Sequence, residues 1–400
     1  MAQSNKVNGW DARYFAVTET TFGTTPTPAN EAALAGRAIE ATSLSLGPAG
    51  EVGTVRPKQD RGLGRGMQSG FVEGRVEPIP FELVASVKSR SAADAAAKEL
   101  AIYKAAGLKV TTNGSTSVVL SCVAAPIESG DFASVSLRRT LGSSLASYEA
   151  EELRGCVVRT LRWEGGDKEL MLTASGAGIG KATQGGVESI SVNDSVTSLT
   201  ITAEESYRLR PGYYLCESEI INVTACTAGG TSATIARGAL GSSAAAHSTK
   251  PLLPLVPSGI TFTGSPIPET TCTVTIGGVA FRALSWSIEM TTGLDLLTGE
   301  TGSKYSQGAK ELRYDLKPTI RLALSADDVA ALGKATARTA VAVSIVQGTG
   351  AGAIATFAMP YCEIEPVAVP DSVGDVSIVD LSLRVRDDAA GNNAFTVTLT

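Results

Sequence analysis

The chain has 400 residues, of which 43% are hydrophobic and only 18% charged, with a formal net charge of −6. That length holds two or three domains, and that apolar fraction excludes wholesale disorder. The acidic balance excludes a free-standing nucleic-acid binder with a basic footprint, and 5% aromatic residues are too few for a base-stacking surface.

No apolar run approaches the length of a bilayer span, so no membrane insertion is expected. The polar start, Met1-Ala-Gln-Ser-Asn-Lys6, reads as the absence of a signal peptide. A protein made and kept in a cytosol until assembly is expected. Cys122, Cys156, Cys216, Cys226, Cys272 and Cys362 form no C-x-x-C pair, and buried reduced thiols are the expected state.

Residues 1–36 read as an N-terminal arm. Tyr14 and Phe15 precede Glu19-Thr-Thr-Phe22-Gly-Thr-Thr-Pro26-Thr-Pro28, where prolines and Gly23 favour an extended course. Aromatic side chains on such an arm need a surface to bury against, and a neighbouring subunit is expected to supply it.

Residues 37–184 form a first unit. A strand over 39–46 is followed by a long glycine-rich loop over 49–70, β-structure over 71–84, and a helix opening at Ser91 with Asp94 in its first turn. The helix meets Gly107, where a left-handed cap costs least. Short strands and a hairpin turning at Gly165-Gly166 close the unit.

Residues 185–256 carry short strands punctuated by glycine, which predicts a small β-sandwich or barrel. Pro251, Pro254 and Pro257 stiffen its exit.

Residues 257–400 form a second unit on the plan of the first. Ala283-Leu-Ser-Trp-Ser-Ile288 echoes Ala41-Thr-Ser-Leu-Ser-Leu46. A polar loop over 291–307, a strand over 312–324 and a helix opening at Ser325 with Asp328 follow, and that helix meets Gly333. The end alternates in strict period two, with Val379, Leu381, Leu383 and Val385 between polar residues, as strands with one wet face do. The fold class expected is mainly β: two tandem barrel or sandwich domains, each with one short helix, and a small all-β inserted module.

Catalytic chemistry is poorly served. The single histidine, His247, sits among Ser and Ala and reads as a loop residue making a local hydrogen bond. Gly176-Ala-Gly-Ile-Gly180-Lys181 lacks the spacing of a phosphate-binding loop and reads as a flexible hairpin end. Asp327-Asp328 lies in a helix's first turn, where acids complement the dipole. No cluster has metal-ligand spacing. No catalytic, cofactor-binding or metal-binding residue is assigned, and no enzymatic activity is expected.

The one basic stretch holds Arg56, Lys58, Arg61 and Arg65. It reads as a nucleic-acid backbone contact, a solvated loop, or an arm docking on an acidic face of the next subunit. The third reading is favoured, because the matching loop carries Asp295 and Glu300 and little positive charge.

Together these pieces resemble a bacteriophage tail tube protein of the long, flexible-tailed type. The leader from Glu19 to Pro26 is similar to the N-terminal arm of that family. The middle segment resembles a β-module recurring in phage tail proteins, through Pro211-Gly-Tyr-Tyr-Leu, Glu219-Ile-Ile, Arg237-Gly-Ala-Leu-Gly241 and Ala244-Ala-Ala-His247. The resemblance implies a structural virion protein, made in the host cytoplasm, whose domains close into rings of six that stack into a conduit for DNA. A fused pair of domains implies a trimeric, pseudo-hexameric ring, or six chains if the first unit is not such a domain.

The family's lumen is usually acidic, so that DNA passes without specific contact, and other tail proteins cap the tube. The module would project outward. The residues expected to carry subunit or ring contacts are Tyr14, Phe15, Phe22, Arg56, Lys58, Arg61, Arg65, Asp295 and Glu300, and no cofactor is implied. The competing readings are another tail component (a terminator, decoration or host-binding protein) and a carbohydrate-active β-protein, which would lack both sugar-stacking aromatics and an acid pair.

Overall fold

The two stretches that echo each other in sequence, 41–46 and 283–288, occupy matching strands of two barrels. The computed structural model describes residues 12–48, 52–55, 72–76, 78–89, 99–113, 116–142, 147–262, 264–269, 272–297, 308–310, 314–325, 328, 340–348, 353–365, 371–373, 376–386 and 395–400.

The first half contributes β1 (Arg13–Thr18), β2 (Ala38–Ile39), β3 (Ser43–Leu46), a hairpin arm of β4 (Val52–Val55) and β5 (Val72–Val76), and β6 (Ile79–Ser86). It continues with β7 (Lys109–Asn113), β8 (Ser117–Ser121), β9 (Val135–Gly142), β10 (Ser147–Gly166), β11 (Met171–Gly178) and β12 (Gly180–Gly185). All its pairings are antiparallel. β1 pairs with β9, β9 with β10, β10 with β11, β11 with β6, and β6 with β3. β2, the segment just before β3, pairs back onto β1, so the ladder returns on itself.

The segment read as an arm therefore holds a barrel strand. Tyr14 lies opposite Ile39 and Arg139, and Phe15 is 3% exposed within its own chain. The apolar run Tyr14–Val17 of β1 is held between β2 and β9, and prolines only begin at Pro26.

Among the described residues, three short helices, rather than one, lie in this half. α1 (Glu31–Ala35) starts at Asn30, whose side chain accepts from Ala33 N. α2 (Leu100–Ala105) ends in a Schellman arrangement: Leu108 N donates to Tyr103 O and Gly107 N to Lys104 O, with Gly107 at φ +74°. α3 (Pro126–Ser129) has proline at its first turn, where no N–H is missed. The expected start at Ser91 lies outside the described residues.

Residues 187–254 make a sheet of their own from β13 (Val187–Val192), β14 (Ser198–Thr200), β15 (Gly212–Cys216), β16 (Glu219–Cys226), β17 (Ser232–Ala236) and β18 (His247–Pro254). Their order is β13-β18-β15-β16-β17-β14. The module is not purely β: α4 (Ala203–Arg208) opens on a capping box between Thr202 and Glu205. Its core, around Leu199, Tyr214, Ile221, Val223 and Leu252, is separate from that of the barrels.

The second half contributes β19 (Cys272–Ile276), β20 (Val279–Thr291), a second hairpin arm of β21 (Asp295–Leu297) and β22 (Gly308–Lys310), and β23 (Asp315–Leu324). β24 (Val341–Gln347), β25 (Ala355–Ile364), β26 (Asp371–Val373), β27 (Val376–Val385) and β28 (Thr396–Leu399) complete it. β19 pairs with β24, β24 with β25, β25 with β27, β27 with β23, β23 with β20, and β20 with β19. In chain order β1, β2–β3, β6, β9, β10 and β11 thus match β19, β20, β23, β24, β25 and β27, in the same cyclic order of pairing. Each half carries a hairpin arm between its second and third matching strands. The Ser325 start also holds: Ser325 N donates to the Asp328 carboxylate at 2.9 Å and Asp328 N to Ser325 Oγ at 3.3 Å. Gly333 lies outside the described residues.

The two barrels share one hydrophobic core. Trp163 stands at its centre, stacked on Tyr103 and edge-on to Phe357, with Phe395 also in reach. Two ladders join the halves, β10 to β20 and β8 to β28.

Candidate assembly edges

The β10–β20 ladder fuses the barrels into one antiparallel sheet, ordered β3-β6-β11-β10-β20-β23-β27-β26. Period-two alternation gives it a core face and a wet face. The wet face is rich in hydroxyls: Ser43, Ser45, Thr160, Thr173, Ser175, Ser285, Ser287, Thr319 and Ser382. Among the described side chains its charges are close to balance. Arg162, Lys317, Arg321 and Arg384 are set among Glu82, Glu164, Glu289, Asp315 and Asp380. Arg162 lies directly opposite Glu289, and Arg321 opposite Asp380. Lysine Lys168 and Arg162 hold the Glu164 carboxyl below the usual carboxylate range against its partial burial. The acidity of the chain as a whole is not concentrated on this face.

The sheet ends at β3 and at β26. Among the described residues, β3 pairs only with β6, and β26 only with β27. Gly47 N donates to Pro80 O, the position opposite it, so Ser43 and Ser45 bond inward to β6. In an antiparallel ladder the alternate residues, Leu44 and Leu46, then direct their backbone groups outward. The matching residues of β20, Trp286 and Ile288, lie opposite Gly165 and Trp163 of β10. An edge that is filled within the chain in one barrel carries no strand in the other among the described residues.

The outward edge of β3 is not bare. Arg139 Nη1 donates to Leu44 O at 3.2 Å, and Lys181 Nζ donates to Gly47 O at 2.9 Å and reaches Leu46 O at 3.5 Å. Glu151 binds both cations: it pairs with Arg139 and lies 2.6 Å from Lys181. Nothing in sequence singled out Arg139 or Glu151. Lys181 drew notice only beside Gly176, Gly178 and Gly180, and that run is strand, not a flexible hairpin end. A Cβ at Gly176 would lie 2.0 Å from Val157 O, and one at Gly178 2.7 Å from Leu153 Cγ. Those two glycines allow β11 to lie close against β10.

The leader is fastened at Glu19, which is 6% exposed. Its carboxylate accepts from Ser134 and Ser136 hydroxyls and from Gly23 and Gly155 N–H groups. Phe22 packs with Leu294 and Leu296 at the foot of the second hairpin arm. Asp295 on that arm pairs with Arg159 of the first half. Burial raises its pKa, but Leu296 N–H and Arg159 outweigh this and hold the carboxyl low. Tyr14, Phe15, Phe22 and Asp295 thus find partners inside the chain, and the neighbour expected to cover the leader is not needed to bury Phe15. Arg56, Lys58, Arg61, Arg65 and Glu300 lie outside the described residues.

A dense charge cluster lies in the module. Glu219, fully buried, takes a bidentate bond from Arg237, N–H bonds from Gly238 and Ala245, and a 2.8 Å contact from His247 Nε2. The other His247 nitrogen lies 2.9 Å from Glu217. His247 is therefore a buried strand residue, 4% exposed, and not a loop residue. The arrangement ties the 237–247 loop to the sheet and explains why Glu219, Arg237 and His247 belong to one motif. Among the described residues no group of His, Cys, Asp and Glu side chains is placed to hold a metal ion, and no helix is long and apolar enough to cross a membrane. None of the six cysteines is in a disulfide, and burial pushes Cys362 up to about 12 and Cys272 up to about 11.

Compared with protein-family models and with curated proteins, the chain gives no match, so its function has to be argued from the two barrels and their unpaired rims.

Proposed function

We propose that this chain is a structural subunit of a phage tail tube, with no enzymatic role, and that three chains close a pseudo-hexameric ring. One observation carries the reading. The edge of β20 is filled by β10 inside the chain, while among the described residues no strand lies on the matching edge of β3. A duplicated unit that pairs with itself once internally leaves one complementary edge at each end, and a closed ring of copies satisfies both.

The balanced, hydroxyl-rich face of the long sheet then lines the lumen. Without a cluster of cations it releases no counterions from DNA and holds it weakly, as a conduit requires. The module sits on α1 and β12, which are not strands of that sheet, and on β10, which is; in this reading it faces outward. Virion localisation, assembly in the host cytoplasm and contacts with other tail proteins at the tube ends follow from this reading.

Negative-stain electron microscopy across a concentration series tests it. Rings with six lobes that stack into tubes are expected. A strictly monomeric species at high concentration would contradict the proposal, and discrete rings that never stack would favour a terminator instead.

A further inference from the structure

We infer that Arg139, Lys181 and Glu151 form a latch over the open edge of β3, which must swing away when a strand of a second copy adds there. The inference rests on the assembly reading for its purpose but on geometry for its existence. Of the outward carbonyls of β3, Leu44 O accepts from Arg139 and Leu46 O lies 3.5 Å from Lys181 Nζ, whose shorter bond is to Gly47 O just past the end of the strand. On β20 the matching edge accepts a strand instead, with Trp286 opposite Gly165 and Ile288 opposite Trp163. The side chains stand where the ladder would run.

An exposed edge strand invites uncontrolled pairing, and inward-pointing charges on an edge are a recognised guard against it. Here the guard is reversible by construction. Lys181 is 8% and Glu151 12% exposed, so the pair is largely withdrawn from water, yet Arg139 Nε is buried with no hydrogen-bond partner. An incomplete set of bonds on Arg139 makes its release less costly than that of a fully satisfied guanidinium. A strand arriving along β3 replaces the side-chain donors with N–H donors of its own. Arg139 and Lys181 keep Glu151 as partner after they leave the carbonyls, so the carboxylate is not orphaned by opening.

The test uses a fluorescent peptide copying residues 159–167, the segment that fills the edge of β20, as a surrogate strand. Its binding to dilute, ring-free protein is read by anisotropy for the natural chain, for Arg139→Met, for Lys181→Met, and for Arg162→Gln, which leaves the edge untouched. Melting temperatures confirm that each variant is folded. Several-fold tighter binding by either latch variant than by the natural chain, with Arg162→Gln unchanged, is expected. Equal binding by all four proteins, or binding by none, overturns the latch. The natural chain's own assembly is followed in parallel by light scattering. If it never assembles while the latch variants still bind the peptide more tightly, the tube reading falls and the latch stands. If it assembles and the latch variants need the same or a higher concentration to do so, the latch falls and the tube reading stands.

Discussion

Trp163 of the first barrel and Ile288 of the second lie directly opposite each other across the β10–β20 ladder. Both are fully buried, and the shared core runs through them. The two halves are therefore one folding unit, although the chain is written as a duplication.

Truncating Trp163 to alanine is expected to destabilise both halves together. Loss of a large buried aromatic in a core that relaxes only partly costs about 3–5 kcal/mol. A single denaturant transition, shifted as a whole, is the expected outcome. Two separated transitions would mean that the barrels do not depend on their joint core.

Gln347 closes the same junction with four bonds. Its Oε1 accepts from Gly166 N at 2.9 Å and Trp286 Nε1 at 3.1 Å, and its Nε2 donates to Lys168 O and Pro268 O. Replacing it by leucine keeps the bulk and strands those groups, at a cost of roughly 3 kcal/mol or more. Glutamate at this position would spare the two bonds to Oε1 but bury a charge. Chemical denaturation of Gln347→Leu and Gln347→Glu checks both, and a change below about 1 kcal/mol for either would show that the junction relaxes around them.

Glu219 makes the module sensitive to acid. Burial opposes ionisation, but Arg237, the Gly238 and Ala245 N–H groups and His247 outweigh it and lower the carboxyl to about 2. A carboxyl depressed in the folded state stabilises fully above its unfolded value, near 4.3, and loses that stabilisation as pH falls toward about 2. Hydrogen exchange in β15, β16 and β17 should therefore accelerate as pH falls through this window, after correction for intrinsic rates. The Glu219→Gln variant should start less stable and show a flatter dependence. An unchanged slope in that variant would assign the acid response to other groups.

The module should be removable. Gly186 and Leu252 meet where the chain enters and leaves it, with Leu252 O 3.3 Å from a Cβ built at Gly186. The seam with the first barrel holds a cavity of about 370 Å³ bordered by Arg37, Arg138, Glu152, Gln184 and Tyr213. Burial lowers the pKa of both arginines, so excision returns them to water. Deleting residues 188–254 with a short linker should leave barrels that assemble as the full chain does, by electron microscopy. Loss of assembly would place the module in the ring contacts.

Much of this architecture was legible in the order of residues. The echo between 41–46 and 283–288 located matching strands, because a strand's alternation survives when its neighbours diverge. The Ser325–Asp328 start and the Gly107 stop were legible because capping is local. The leader was misread because β1 is short and its partners, β2 and β9, are distant in sequence. Arg139, Glu151 and Gln347 carried no signal and Lys181 a misleading one, since their roles arise only when strands far apart in the chain are laid side by side. His247 reads as a loop residue with a local hydrogen bond for the same reason: its partners Glu217 and Glu219 come from another strand's hairpin.

The sharpest test uses the register of the internal junction. Within the chain, Glu164 lies opposite Ser287 and Met171, and Asp371 lies opposite Ile378. Superposing the matched strands puts Asp371 where Glu164 stands and Ser45 where Ser287 stands. The variant Ser45→Cys with Asp371→Cys, treated with a short thiol cross-linker, should join chains to one another and stop at trimer on a denaturing gel. Cross-linking confined within single chains, or a ladder continuing past trimer to hexamer, would contradict a ring of three duplicated subunits joined edge to edge.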